Sequence, residues 1–480
     1  MDFSGYASRE MLEYFYEITK IPRPSYKEGR IVDYLCEFAR ERSLPCYRDE
    51  HNNVLITAPA TEGREGERAV LLQGHTDMVC EADLGVEWDP ETQGVDAYVD
   101  GDLIRARGTT LGGDDGAAVA AMLAILDGAL TSHGPLECLF TTCEEVGLDG
   151  MKGFDLSRIT ARRMINLDSE CEGEAIISCA GGFRTDIMMK VDLCDFDRAA
   201  VRIAVRGLAG GHSGADIHLG RQNANALLAK ILKVLLRDKK NNLALFFGGS
   251  KDNAITRSAE AILSVKSVSD VIDTVRELET RIRETLNPED AESFELICER
   301  TEAPDTMCEH EESVAFINLL SLLPCGVMGW IDEDTGMVES SANIGIVTTD
   351  DEGFNITVSS RSNDEAKLDN LEYILDNFAV LYGCEITHRN RYPGWKNAEG
   401  STVEPLYRDT YRELFDISPR ICAIHAGLEC GLVKRAIPDM DIISIGPTMH
   451  DIHTPRERMS LSSCDRFWLT LAKMLEDRLV

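Results

Sequence analysis

Five stretches of the sequence carry side chains that can bind a metal ion. Four of them follow short apolar runs, and their side chains are, in chain order, His75 with Asp77, Glu144 with Glu145, Asp168, and His450 with His453. The fifth is the loop 108–116, GTTLGGDDG, whose glycines permit tight turns around Asp114 and Asp115. Imidazole nitrogens and carboxylate oxygens are ligands that Zn²⁺ binds in proteins. Their number predicts a site for two divalent ions.

Each of these motifs, taken alone, also has an ordinary structural explanation. In the HTD segment, residues i and i+2 of an extended chain point the same way, so Asp77 can orient the ring of His75 towards a metal or simply cap it. The acidic pair at 144–145 is also compatible with a solvated loop, and the pair at 114–115 with a helix start. Asp168 fits a turn at a strand end, and His453 alone is compatible with a histidine that binds no metal. Metal binding is favoured because all five explanations would otherwise have to hold together at one sheet edge.

The side chains converge only if the strands before them lie in one sheet. Short apolar segments bounded by turns predict strands at 53–58, 68–74, 136–142, 163–168 and 441–446. The segment DGAAVAAMLAILDGAL is apolar nearly all round, which predicts a buried helix. In open α/β sheets, ligands bind at the carboxyl ends of the strands. The candidate ligands are therefore expected at that edge.

The pattern of elements changes twice along the chain. Two amphipathic helices separated by Pro22 and Pro24 are predicted before residue 42, and another at about 403–415. Between about 185 and 384 the strands are longer and more alternating, with amphipathic helices between them, which indicates an antiparallel α+β insert. We therefore predict an α/β domain with a mixed central sheet, formed by 1–184 and 385–480 and interrupted by the 185–384 domain.

The composition excludes several classes of protein. The 480 residues exceed the roughly 250–300 at which a single core stops growing, so two domains are expected. The 49 Lys and Arg against 83 Asp and Glu give a charge of −34, which disfavours nucleic acid and anionic membranes as partners. The start lacks the pattern of a signal peptide, and no apolar run approaches the roughly 18 residues of a membrane span. We expect a cytoplasmic protein without disulfides, because its 15 cysteines follow no disulfide-scaffold spacing.

The motifs also resemble a known family in their order along the whole chain. They are HTDMV, GTTLGGDDG, TTCEEVGLDG, NLDSE, GGHSGADIHLGRQNAN, NAITR, IHAGLECG and SIGPTMHDIHTP. This series resembles the aminoacyl-histidine dipeptidases, members of a larger group of co-catalytic zinc peptidases. The resemblance implies that the metal ligands are His75, Asp114, Glu145, Asp168 and His453. It further implies that Asp114 bridges two ions, that Asp77 orients His75, and that Glu144 is the general base.

The same resemblance implies that the insert is a lid and dimerisation domain. His212, in GGHSG, would contact the substrate carbonyl oxygen, often from the partner subunit of a homodimer. Asn253 and Arg257 in NAITR, and Arg361 in SSRSN, would meet the substrate carboxylate. Glu429, in AGLECG, would contact the substrate amino end.

The implied reaction is hydrolysis of unblocked dipeptides, of the Xaa-His type and including β-alanyl-histidine. Two divalent ions would activate a water molecule, and Glu144 would pass its proton to the leaving amine. Zn²⁺ is the expected metal, although a carboxylate-rich site also accepts Mn²⁺ or Co²⁺. Two residues depart from the family pattern: Asp115, where Asn or a basic residue is expected, and the additional His450.

Four other functions stay open at this point. The site would also suit an N-acyl-amino-acid deacylase or an aminopeptidase acting on longer peptides. A thiol amidohydrolase using Cys143 or Cys80 is a different enzyme class. A peptide-binding protein that has lost catalysis is the alternative outside enzymes. An acidic residue at the substrate amine favours free-amine substrates over acylated ones.

Overall fold

The computed structural model describes residues 1–334, 336–396 and 400–476. The chain forms two compact units. The first unit consists of Met1–Cys179, Trp395–Ala423 and Leu428–Val480, and the second of Ala180–Gly394 and Ile424–Gly427. The second unit thus receives a short loop from the C-terminal part of the chain.

The first part of the first unit contains four helices and eight strands. They are α1 (Arg9–Ile18), α2 (Gly29–Glu41), β1 (Cys46–Arg48), β2 (Val54–Ala58), β3 (Val70–His75), β4 (Ala97–Asp100), β5 (Leu103–Ala106), α3 (Gly113–Leu126), β6 (Leu136–Thr141), α4 (Asp149–Gly153), β7 (Arg163–Asn166) and β8 (Glu174–Cys179). The break between α1 and α2 contains Pro22 and Pro24, as the sequence predicts.

The second unit and the returning part of the first unit follow. The second unit has β9 (Gly181–Lys190), β10 (Leu193–Asp195), β11 (Ala199–Arg206), β12 (Gly211–His212), α5 (Ala224–Leu235), β13 (Asn242–Gly248), β14 (Ala254–Ile255), β15 (Ala259–Val265), α6 (Val268–Arg283), α7 (Pro288–Ser293), β16 (Glu295–Arg300), β17 (Thr306–Cys308), α8 (His310–Leu322), β18 (Gly326–Asp332), β19 (Met337–Thr349), β20 (Gly353–Ser362), α9 (Glu365–Tyr382) and β21 (Glu385–Tyr392). The chain then continues through α10 (Val403–Phe415), β22 (Arg420–Ile424), α11 (Cys430–Ala436), β23 (Asp441–Ser444), β24 (Met449–His450), β25 (Arg458–Ser460) and α12 (Leu461–Glu476).

The first unit is built around a mixed sheet of eight strands, in the order β1-β2-β6-β3-β7-β23-β8-β22. Strands β6, β3, β7 and β23 are parallel, whereas β1, β2 and β8 pair antiparallel with their neighbours. A smaller sheet has the order β24-β25-β5-β4. The predicted α/β domain with a mixed central sheet is confirmed.

Helix α3 is the central buried helix of this unit. All 14 of its residues are buried, as its apolar sequence predicts, and it packs against β3. The contact is close because position 74 is glycine: a Cβ there would lie 2.4 Å from both the Ala118 Cβ and the Asp115 Oδ2. Glycine at 74 therefore lets the strand that ends at His75 approach the helix that begins beside Asp114.

The second unit has a nine-stranded sheet in the order β16-β11-β15-β13-β19-β20-β9-β21, with β18 paired to β19. Its strand pairs are antiparallel. Helices α5, α6, α8 and α9 pack against these strands. Their shared core contains the buried rings of Phe246, Phe316 and Phe354. This architecture confirms the predicted antiparallel α+β insert.

Two further properties of the described residues bear on the sequence expectations. Among them, no helix is both long enough and apolar enough to cross a membrane. The 15 cysteines are free thiols, several of them buried among apolar side chains.

Candidate metal centre

The candidate ligands of the first unit follow strands that lie side by side. Strands β6, β3 and β7 are parallel neighbours, so their carboxyl ends meet at the same edge of the sheet. His75 ends β3, the pair at 144–145 follows β6, and Asp168 follows β7. The topology therefore brings together residues that are far apart in sequence.

Asp114 lies between two histidines. Its Oδ1 is 3.0 Å from the Nε2 of His75, and its Oδ2 is 3.2 Å from the Nε2 of His453. The Nε2 of His75 is also 3.6 Å from the Asp168 Oδ1, and that of His453 is 3.0 Å from the Glu145 Oε1. One carboxylate thus faces two separate sets of nitrogen and oxygen atoms.

These side chains form two groups that could each hold a metal ion. The groups are His75, Asp114 and Asp168, and Asp114, Glu145 and His453, with the ligand atoms of each group within 4.8 Å of one another. Each group offers one imidazole nitrogen and carboxylate oxygens, which is a donor set suited to Zn²⁺ and to similar divalent ions. The residues present therefore fit a pair of ions that share Asp114.

The electrostatics of the cluster favour a bound cation. Burial alone would lower the pKa of His453, yet its hydrogen bonds to Asp114 and Glu145 raise that pKa to about 11. Burial is the main cause that raises the pKa of Asp168 to about 6, and the charges of Asp114 and Glu145 add to it. The hydrogen bond of Asp168 to His75 acts in the opposite direction. Such concentrated negative charge is costly in a buried place unless positive charge compensates it.

Asp77 fixes both His75 and the acidic loop. The His75 Nδ1 lies 3.1 Å from the Asp77 carbonyl oxygen and 3.5 Å from its carboxylate, which leaves Nε2 for a metal. The Asp77 carboxylate accepts the backbone N–H groups of Glu144 and Glu145 and the hydroxyl of Ser25. Burial would raise the pKa of Asp77, but the hydrogen bond from His75 holds it below its usual value.

Glu144 belongs to neither ligand group among the described residues. Burial raises the pKa of its carboxyl well above the usual value, and the nearby carboxylates of Asp168 and Glu429 act in the same direction. The preceding residue, Cys143, has a left-handed backbone with φ 52°, and His453 has φ 59°. Left-handed backbone at residues other than glycine is uncommon and often marks functional sites.

The two departures noted in the sequence do not lie in the ligand groups. Asp115 is completely buried, and its carboxylate accepts the backbone N–H groups of His75 and Ala118. Burial raises the pKa of Asp115, and the negative charge of Asp168 raises it further. His450 is exposed on β24. Asp115 therefore supports the strand of His75 and occupies no ligand position in the structure.

Known proteins share this sequence pattern. The family model described as Peptidase family M20/M25/M40 matches residues 71–477, which include all the side chains of the two ligand groups. The chain belongs to this peptidase family.

Two relatives that are more than 30% identical match this M20/M25/M40 peptidase over essentially its whole length. The cytosol non-specific dipeptidase of Escherichia coli K12 is 36% identical, and the match covers 99% of each chain. The crystal structure of aminoacylhistidine dipeptidase from Vibrio alginolyticus is 32% identical with a TM-score of 0.91, covering 100% of this chain and 99% of that one. The aminopeptidase PepT structure from Bacillus cereus, at 15% identity, TM-score 0.55 and 98% coverage of both chains, shares the fold.

In the second unit, His212 is fixed in one tautomer by its own loop. Its Nδ1 accepts the backbone N–H groups of Gly214 and Ala215, at 3.2 and 3.0 Å. Burial is the main cause that lowers the pKa of His212 to about 4, and the positive charge of Arg361 adds to it. The ring is therefore neutral at physiological pH, and the hydrogen bonds assign its proton to Nε2.

The predicted carboxylate-binding residues of the second unit differ in burial. Arg361 is 4% exposed, and it donates to the hydroxyl of Tyr392, while its Nε has no hydrogen-bond partner among the described residues. Asn253 and Arg257 are exposed. The Arg257 Nε donates to the carbonyl of Leu208, and the side chain lines a cavity of about 510 Å³. Arg361 is thus the buried cation of this set.

Glu429 has a different setting from the one expected of a substrate contact. It is completely buried in the first unit, where its carboxylate accepts hydrogen bonds from Gln73 and from the hydroxyl of Thr141. Gln73 in turn accepts the side-chain amide of Asn166. Burial raises the pKa of Glu429 to about 8. These polar side chains form a hydrogen-bonded row across β6, β3 and β7, near the carboxyl ends of the three strands.

Sequence reasoning missed several residues that the structure places beside the candidate sites. They are Arg23, Ser25, Glu28, Gln73, Thr141, Asn166, His425 and Glu457. Gln73 had a usable signal, because it lies two residues before His75 and points to the same side of the strand. His425 lies in the IHAGLECG motif, and its Nε2 is 2.8 Å from the Ser341 hydroxyl in the second unit. Glu457 had none, because it lies in irregular chain, four residues after His453.

A first prediction concerns the shared carboxylate. Asp114→Ala should remove both ions of this M20/M25/M40 peptidase, whereas His453→Ala should weaken only one, because Asp114 alone belongs to both ligand groups. Bound zinc is measured by mass spectrometry after dialysis at a fixed free Zn²⁺ concentration. Asp115→Asn is the matched control and should keep two ions per chain. Two tightly bound ions in Asp114→Ala would contradict the shared ligand.

Proposed function

We propose that the protein is a metal-dependent dipeptidase that hydrolyses the amide bond of unblocked dipeptides. The observation that carries the proposal is Asp114, whose two oxygens face His75 and His453 separately. The names of two full-length relatives, a cytosol non-specific dipeptidase and an aminoacylhistidine dipeptidase, support dipeptides as the substrate class. Xaa-His dipeptides, including β-alanyl-histidine, are the proposed preferred substrates.

The ligand roles follow the two groups of side chains. His75, Asp114 and Asp168 would hold one ion, and Asp114, Glu145 and His453 the other. When bound, two divalent ions lower the pKa of water and polarise a carbonyl oxygen. Zn²⁺ suits the imidazole ligands, and Mn²⁺ or Co²⁺ is compatible with the carboxylates.

Glu144 is the proposed general base. Its backbone N–H is held by Asp77, whose carbonyl oxygen also lies 3.1 Å from His75 Nδ1, so base and ligand share one support. Burial beside other carboxylates strengthens the affinity of Glu144 for a proton. That property suits a group that takes a proton from the attacking water and passes it to the leaving amine.

His212 and Arg361 are the proposed substrate contacts of the second unit. The neutral His212 ring carries its proton on Nε2, so it can donate a hydrogen bond to the substrate carbonyl oxygen as negative charge develops there. Arg361 is buried without a carboxylate partner among the described ion pairs, and a planar guanidinium can bind both oxygens of a carboxylate. Asn253 and Arg257 are proposed at the same end of the substrate.

Glu429 remains a predicted contact for the substrate amino group. Its complete burial and its hydrogen bonds to Gln73 and Thr141 support a different role, in which it orders the strand ends beneath the metal ligands. Recognition of the amine by Glu429 would require its Oε1, which has no hydrogen-bond partner among the described residues, to become accessible.

The assembly and the location are also proposals. We propose a homodimer joined through the second unit. We also propose that neither nucleic acid nor a membrane is a partner, because the chain carries a charge of −34. The proposed cytoplasmic location is supported by the name of the Escherichia coli relative.

The thiol alternative is disfavoured by the structure. Burial raises the pKa of Cys143 to about 12 and that of Cys80 to about 11, so both thiols are protonated at neutral pH. A protonated thiol is a poor nucleophile. The deacylase alternative uses the same metal chemistry and differs in the substrate end that it recognises.

A second prediction is tested by the decisive experiment, which compares metal-loaded and metal-free enzyme on matched substrates. Dialysis against a chelator should abolish hydrolysis of an Xaa-His dipeptide, and Zn²⁺, Mn²⁺ or Co²⁺ should restore it. The N-acetylated and C-amidated forms of that dipeptide should show much lower kcat/KM, because each lacks one terminal charge. Full activity without metal would reject the mechanism, and fastest hydrolysis of the acetylated form would establish the deacylase.

A third prediction separates the two adjacent glutamates. Glu144→Gln should retain both ions but lower kcat by about 10² to 10⁴-fold, the usual contribution of a general acid–base residue. Glu145→Gln should instead weaken metal binding, since it removes an anionic ligand. Metal content and kcat are measured on both variants. If the two variants exchanged these effects, the assignments would be reversed.

A fourth prediction concerns the homodimer. If His212 of one subunit completes the site of the other, mixing inactive His212→Ala with inactive Glu144→Gln should restore partial activity. A mixed dimer would contain one site with both functional groups. Subunit exchange is verified by mass-tagged subunits. Absence of recovery despite exchange would place His212 in its own subunit's site or outside catalysis.

A further inference from the structure

A buried carboxylate outside the ligand groups holds the loop that carries Asp114. Glu457 is 3% exposed and lies four residues after His453. Its two oxygens accept the backbone N–H groups of residues 111–114, at 2.7, 3.0, 2.7 and 3.4 Å. Four consecutive N–H groups, the last of them that of Asp114, therefore converge on one side chain.

Arg23 binds the same loop through the carbonyl oxygen of Gly112. The guanidinium is 1% exposed and donates to the carbonyl oxygens of Thr76 and Asp77, at 2.9 and 3.1 Å. It also donates to the carbonyl of Gly112 at 2.5 Å. Arg23 thus connects the segment after His75 to the loop before Asp114.

The glycines of the loop leave room for these two side chains. A Cβ at Gly112 would lie 2.5 Å from an Arg23 nitrogen, and the residue has φ +72°. A Cβ at Gly113 would lie 3.2 Å from the Glu457 Oε1. The GG pair of the LGGDD segment therefore allows the carboxylate and the guanidinium to reach the backbone.

The contacts connect three parts of the proposed metal centre. Glu457 belongs to the chain segment of His453, Arg23 binds the segment of His75, and both bind the loop of Asp114. Backbone N–H groups in a buried loop need acceptors, and a charged acceptor gives stronger hydrogen bonds than a neutral one. The separation between the two histidines and Asp114 therefore depends on this pair.

We infer that Glu457, together with Arg23, is a positioning residue of the metal centre, which sets the Asp114 carboxylate between His75 and His453. The inference rests on the proposed function, because it assumes that these three side chains bind ions. Glu457 touches neither ligand atoms nor substrate in this role. Its effect is transmitted through the backbone of residues 111–114.

Glu457→Gln tests the inference with little change of volume. The amide keeps one acceptor oxygen but replaces the other with an NH₂ group, which faces backbone N–H groups that it cannot accept. Loss of an outer-shell partner of this kind typically lowers metal affinity by about 10 to 100-fold. We expect that loss for at least one ion, measured by calorimetric titration with Zn²⁺ alone, and an altered visible spectrum of the Co²⁺-loaded variant.

Glu137→Gln is the matched control. Glu137 is also a buried carboxylate of the first unit, 6% exposed, and it accepts the backbone N–H groups of Thr160 and Ala161. It lies near the start of β6, away from the carboxyl ends of the strands, where the candidate ligands lie. The control should lower the melting temperature of the metal-free protein while leaving Zn²⁺ affinity and the Co²⁺ spectrum unchanged.

Each outcome separates the positioning role from the proposed function. If wild type binds fewer than two ions, the proposed metal centre itself fails. If wild type binds two ions and Glu457→Gln binds both with wild-type affinity, the positioning role is overturned. An equal loss of affinity in Glu137→Gln would reduce the effect to general destabilisation and also overturn it. Should Glu457→Gln not fold, Glu457→Asp, which keeps the charge on a shorter side chain, must weaken Zn²⁺ binding, and wild-type affinity there would be equally decisive.

Discussion

Each oxygen of the Asp114 carboxylate faces a histidine. The neighbouring carboxylates and the side chains that support them depend on this arrangement. Buried negative charge requires compensation, and the structure places Asp168 and Glu145 beside the same histidines and so increases that charge. Two divalent ions would provide the compensation. The ligands, their supports and the close packing beneath them can all be understood as consequences of holding this charge in place.

The supports form a second layer with distinct tasks. Asp77 orients His75 through a carbonyl oxygen while its carboxylate holds the loop of the acidic pair at 144–145. Glu457 and Arg23 hold the glycine loop before Asp114 from two sides. The close approach of β3 to α3 at Gly74 brings these pieces within hydrogen-bond reach. Placement of the proposed ligands therefore depends on backbone contacts as much as on the ligand side chains themselves.

The sequence was informative where chemistry and periodicity coincide. The apolar runs before His75 and Asp168 are real strands, the buried helix after Asp114 is α3, and parallel pairing brings their ends together. The antiparallel character of the insert followed from its alternating strands. These features are local patterns combined with one topological rule, so a single sequence was sufficient to predict them.

The supporting residues could not be predicted in the same way. Glu457 and Arg23 act on backbone atoms about 345 and 90 positions away, and no periodicity relates them to the loop that they hold. The setting of Glu429 could not be predicted either: the family resemblance implies a substrate contact, and the structure buries this side chain against Gln73 and Thr141. Burial and long-range hydrogen bonds depend on the complete fold.

The shared role of Asp114 can be tested directly by anomalous diffraction from crystals of the zinc-loaded protein, with data collected on both sides of the zinc absorption edge. The expected result is two anomalous peaks per chain, one against His75 and Asp168 and one against Glu145 and His453, with Asp114 contacting both. A single peak, or two peaks of which only one contacts Asp114, would contradict the account.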